Sequence, residues 1–193
     1  MDFPLQVIVL SIPSLIYLLV QKRRGVQWNT IFEKIGWRCC RPIWFLWGLG
    51  VCLVVGGLGW LAFRIVPAEV LQDPNINISN YAGWQINATS FLVILLREAV
   101  YVALGEEIFF RGFLGGWLVR WLGFALGNTI QAMAFLLPHL ILLLVSPSLW
   151  PIIVVQFTAG WLLGWLRYRS KSILPGWIAH SLTNVLGALA VMR

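Results

Sequence analysis

Apolar residues run along this chain in long unbroken blocks, and short polar segments separate the blocks. The blocks are Phe3 to Val20, Ile43 to Val66, Ala88 to about Gly105 with a continuation toward Arg120, Phe124 to Val145, Leu149 to Leu166, and Ile173 to Met192. A helix rising about 1.5 Å per residue needs roughly 20 apolar residues to cross about 30 Å of hydrocarbon, and each block is near that length. The pattern predicts an all-α polytopic transmembrane bundle of about six spans, one integral-membrane domain over residues 1–193, with room for interfacial or broken helices. The third block is too long for one straight crossing, and Gly105, Gly112, Gly115 and Gly116 offer places to bend or end it. Either a long tilted helix reaches Arg111 and Arg120, or a span ends near Gly105 and an interfacial helix follows. The first block follows Asp2 without a basic segment, so it is expected to stay as a helix rather than serve as a cleaved leader.

Composition supports the membrane reading. The chain is 60% hydrophobic and 11% charged, whereas soluble domains are about 45–50% apolar and about 25% charged. Twelve tryptophans suit a protein whose indoles sit at lipid headgroup level. The net charge of +7 does not point to nucleic acid, because no basic stripe runs through an apolar-poor segment. The charge reads instead as topology: Gln21 to Pro42 holds Lys22, Arg23, Arg24, Lys34, Arg38 and Arg41, and Arg167, Arg169 and Lys171 form a second basic loop, whereas Pro67 to Gln85 has neither Lys nor Arg. The positive-inside rule makes the basic loops cytoplasmic and the other external. Cys39, Cys40 and Cys52 lack metal-ligand spacing and are expected to be reduced.

Three short patterns interrupt the apolar blocks: Glu106-Glu107-x-x-x-Arg111, Phe135-x-x-x-His139 and His180-x-x-x-Asn184. Ionisable groups in hydrocarbon are costly unless they pair or act, which makes them functional candidates by default. On a helix, residues four apart share a face, so Glu107 lies under Arg111 and His180 under Asn184, while Glu106 points about 100° away from Glu107. Arg111 can then fix one glutamate while the other meets histidines from two further helices, the set needed to deprotonate a water in a dry cavity. Singly, each pattern has a structural explanation: an interfacial ion pair, a histidine satisfying a carbonyl freed by Pro138, polar contacts between helices. Phe135 reads as packing, and Arg97-Glu98 as a structural or interfacial doublet. Together the three patterns predict one site.

These residues resemble a known family. Glu106-Glu107-Ile-Phe-Phe-Arg111, Phe135-Leu-Leu-Pro-His139 and His180-Ser-Leu-Thr-Asn184 are similar, in order, to the signatures of the CPBP family, the CAAX proteases and bacteriocin-processing enzymes also called Abi. The similarity extends to Gly160 through Gly164 and to Ser172-Ile173-Leu174-Pro175-Gly176, so that residues 95–190 form the family-like catalytic core. The resemblance implies an intramembrane endopeptidase acting on a membrane-associated or lipid-modified peptide or protein, expected in the bacterial plasma membrane. It implies that Glu106 with His139 activates water, that His180 and Asn184 stabilise the oxyanion, and that Glu107 and Arg111 orient the site. The family has been described both as metal-dependent and as glutamate-type. The absence of an H-E-x-x-H helix favours no cofactor here; a metal such as zinc, if bound, would use Glu106, His139 and His180. The alternative function is a non-proteolytic scaffold or regulatory or immunity protein of the same fold.

Overall fold

The computed structural model describes residues 4–192; Asp2 and Phe3, at the start of the first apolar block, lie outside the described residues. The described chain is helical throughout, with no strand. Its helices are α1 (Leu5–Arg23), α2 (Trp28–Ile35), α3 (Ile43–Ile65), the single turn α4 (Ala68–Leu71), α5 (Ala88–Leu95), α6 (Gly116–Leu136), the single turn α7 (Leu142–Val145), α8 (Trp150–Ser170) and α9 (Leu174–Val191).

Between α5 and α6 the helix does not end at Gly105. It widens into two π-helical segments, Leu96–Leu104 and Glu107–Gly115, and runs on to the basic end of the bundle. This is the long-helix solution, and the glycines serve close contact instead of termination. A Cβ on Gly105 would lie 2.7 Å from the Val7 Cα of α1, and one on Gly112 would lie 2.8 Å from the Ile35 carbonyl of α2. The apolar helical run from Ala88 to Val145 covers 58 residues, far beyond one crossing. Gly123, at φ 75° and ψ 172°, reverses it, a backbone state that an L side chain rarely adopts. The five apolar runs therefore supply six crossings.

Accessibility is inverted relative to a soluble protein. Leu53, Trp121 and Leu144 are 68%, 75% and 85% exposed, while Glu98, Glu106, Glu107, Arg111, Asn128, Gln131 and His180 are buried. A lipid solvent favours this arrangement, since helices satisfy their own backbone groups and polar side chains find partners only inside the bundle. The chain is an integral membrane protein. Its apolar packing is centred where α3, α8 and α9 meet, through Val51, Val55, Leu163 and Ala179.

The connecting segments collect at two ends. At one end the Ile173 amide donates to the Gly36 carbonyl at 2.9 Å, the Ser172 hydroxyl to the Arg38 carbonyl at 2.5 Å, and Arg120 and Arg167 to the Lys34 carbonyl, each at 3.2 Å. Both basic loops and the Gly123 reversal thus share one face. The amphipathic α2 lies there, burying Ile31 and Ile35 while Trp28 stacks on Phe32 in the open. At the other end, the loop without Lys or Arg is held by Val66, Ile76 and Leu149. Its Tyr81 hydroxyl donates to the buried Glu98 carboxylate at 2.5 Å, and Arg97 lies over the same ring. Burial and Glu98 push the Tyr81 phenol upward, so it remains a donor. The Arg97-Glu98 doublet therefore anchors the loop without Lys or Arg.

Candidate active site

Glu106 and Glu107 stand where the second π segment begins, on a helix packed against α1, α2 and α6. A π turn closes i→i+5 hydrogen bonds and holds more residues than an α turn, so consecutive side chains diverge by a smaller angle. Both glutamates meet one partner. His180, two turns into α9, meets Glu107 Oε1 through Nδ1 at 3.0 Å and Glu106 Oε2 through Nε2 at 3.5 Å. The expected division, with Glu107 engaged by Arg111 alone and Glu106 by the histidines, is thus modified: His180 bridges the two carboxylates. Glu107 also pairs with Arg111 Nη1 at 3.1 Å, and neither side chain of that pair is exposed. Both ring nitrogens of His180 thus face a carboxylate oxygen.

His139 arrives from a different direction. Pro138 turns the end of α6 into a 3-10 segment, Leu137–Ile141, which releases the Phe135 carbonyl from the helical pattern. His139 Nδ1 donates to that carbonyl at 2.9 Å. Because a carbonyl can only accept, the proton is on Nδ1, and in the neutral ring Nε2 keeps its lone pair. His139 is half-buried and within electrostatic reach of Glu106, His180 and Arg111. Pro138 therefore helps to aim the histidine, and the carbonyl contact expected of a structural role coexists with proximity to the carboxylates.

Phe135 is the packing residue that its position suggests, but what it packs is the site. Its ring lies 4.1 Å from the Arg111 guanidinium carbon, 4.8 Å from the His139 ring, 5.2 Å from Phe110 and 6.1 Å from His180. Asn184 is half-buried, one turn beyond His180, and its amide makes no hydrogen bond among the described residues.

Two contributors were not singled out from the sequence. Gln6 of α1 donates through Nε2 to Glu106 Oε1 at 2.7 Å; the available signal was an amide side chain inside an apolar block. Gly176 faces the Glu107 carboxylate so closely that a Cβ there would stand 3.1 Å from Oε2. That Oε2 has no hydrogen-bond partner.

Among the described residues, no three His, Cys, Asp or Glu side chains are grouped to hold an ion. Structural zinc sites take four protein ligands and catalytic ones three, so no reaction step is drawn through a metal.

Comparison with curated proteins and with solved structures found no match. A family model does match: residues 88–186 fit the type II CAAX prenyl endopeptidase Rce1-like family, and this interval contains all three polar patterns. Spanning more than half of the chain, the match places this integral membrane protein in the Rce1-like family of CAAX-type intramembrane peptidases.

Proposed function

We propose that the chain hydrolyses a peptide bond of a membrane-associated or lipid-modified protein, with Glu106 and His139 activating water and without a metal. The observation that carries this reading is His180 held between Glu106 and Glu107. Glu106 keeps a carboxylate within the bundle while His139 presents an unprotonated Nε2 in the neutral ring, and both groups can accept a water proton. Attack on the scissile carbonyl places negative charge on its oxygen. His180 donates to that oxygen from Nε2, and the unengaged Asn184 amide adds a second donor one turn away. Glu107 orients His180 from the Nδ1 side, and Arg111 holds Glu107; both act by positioning. The proton taken from water passes to the departing amine, so the carboxylate is regenerated. The setting proposed is a bacterial plasma membrane, as the family resemblance suggests.

The test is direct. Protein reconstituted in vesicles is incubated with a farnesylated C-terminal peptide, the same peptide without its lipid, and a transmembrane peptide, and the products are sized by mass spectrometry. Cleavage of a lipid-bearing or membrane-embedded peptide, undiminished by 1,10-phenanthroline, is the expected result. No cleavage of any of the three removes the peptidase reading. Cleavage abolished by the chelator and restored by zinc removes its metal-free form.

A further inference from the structure

A cavity of about 550 Å³ lies at the basic face, apart from the cluster just described. Neither Glu106 nor either histidine lines it; Arg111 alone belongs to both. The space at the basic face therefore has a lining largely distinct from the Glu106 and histidine cluster.

Its floor is made of Arg111, Asn128 and Gln131, none more than 1% exposed. Asn128 donates its amide to the Trp161 carbonyl at 3.0 Å. Gln131 has no partner for either its amide nitrogen or its amide oxygen, and Arg111 Nε and Nη2 likewise make no hydrogen bond. Buried polar groups are nearly always satisfied, so orphaned side chains belonging to the lining of one space point to a ligand there. The whole lining holds six Lys and Arg side chains and a single carboxylate, Glu33, so the ligand is an anion. The Gln131 oxygen adds a requirement, because it needs a donor that a bare anion does not supply. A phosphodiester carrying a hydroxyl-bearing headgroup meets both conditions. The position, at the end of the bundle beside the 75%-exposed Trp121, is headgroup level for a lipid packed along α6.

We propose that this cavity binds the headgroup of an anionic phospholipid, its phosphate held by Arg111 and the rim cations and its headgroup hydroxyl accepted by Gln131. The proposal is independent of whether the protein cleaves peptides. It is tested with purified protein in zwitterionic detergent, titrated with phosphatidylglycerol or phosphatidylcholine, with retained lipid counted by native mass spectrometry. One phosphatidylglycerol is retained saturably, phosphatidylcholine is not, and soluble glycerol 3-phosphate competes only weakly because it lacks the anchoring chains. Gln131→Leu preserves every charge and weakens retention roughly tenfold, the effect of losing hydrogen bonds to a charged ligand. Lys171→Asn, at the exposed rim and tolerant of its left-handed backbone, reduces retention about threefold and cannot fail through core packing. Arg24→Gln, exposed and outside the cavity lining, leaves retention unchanged.

Equal retention by the parent and both cavity variants, or an equal loss in Arg24→Gln, reduces the effect to general surface charge and overturns the site. Glycerol 3-phosphate binding as tightly as the lipid overturns the lipid assignment. Displacement of the lipid by a short peptide with a free C-terminal carboxylate, but not by its amide, assigns the cavity to a peptide instead.

Discussion

Replacing Glu107 by Gln removes one charge from a fully enclosed pair while leaving volume and hydrogen-bonding capacity nearly intact. The Arg111 guanidinium, 3.1 Å from Glu107 Oε1, then loses its nearest counter-ion, and neither side chain of the pair is exposed. Breaking a buried pair from one side costs about 3–5 kcal/mol. The lower end applies here, since the Phe135 ring 4.1 Å from Arg111 still stabilises the cation. For chains of about this size each kcal/mol moves the melting midpoint by about 2–4 °C, so a loss of about 3 kcal/mol lowers it by roughly 6–12 °C. The twelve tryptophans supply a fluorescence signal for heating in mild detergent. Adding Arg111→Met to Glu107→Gln removes the stranded charge and recovers part of the loss. A midpoint within about 1 °C of the parent for Glu107→Gln, or a double variant no more stable than the single, would refute the argument.

Three further outcomes follow from other parts of the molecule. Gln6→Leu deletes the donor to Glu106 Oε1 and lowers turnover about tenfold, the effect of roughly 1.4 kcal/mol, with unchanged affinity for substrate; unaltered turnover separates α1 from the chemistry. Tyr81→Phe leaves buried Glu98 without its hydroxyl partner and destabilises the protein by about 1–3 kcal/mol while cleavage persists, whereas a neutral result in thermal unfolding removes the anchoring role of the external loop. Exposed Cys39 on the basic face escapes a membrane-impermeant maleimide in intact cells, and Asn75→Cys on the opposite loop is labelled; the reverse pattern inverts the orientation.

The spans and their number were legible because lipid imposes a length on every apolar block, and the shared side of the two basic loops was legible from charge. The polar residues proposed for the site were legible as candidates, since a carboxylate or histidine within an apolar block stands out chemically. What was hidden depends on helix pitch. With α-helical spacing, Glu106 and Glu107 diverge by about 100°; both nevertheless meet His180, and no residue type in the π segment Glu107–Gly115 announces the departure from α pitch. Gly105 and Gly112 invited a break, yet their lack of side chains serves the approach of α1 and α2. Gln6 was obscured because an amide inside an apolar helix gives no partner away. Gln131 is similar: only its burial without a partner makes it informative, and burial is a tertiary property.

The central claim, that Glu106 supplies the base, rests on a single-turnover cleavage measurement comparing the parent with Glu106→Gln in vesicles containing a membrane-bound peptide. Glutamine retains the acceptor oxygen toward Gln6 and the volume of the side chain, so folding and substrate binding are preserved. Loss of general-base assistance predicts a chemical step about 10²–10⁴-fold slower at equal binding. Cleavage by Glu106→Gln at the parent rate would contradict the account.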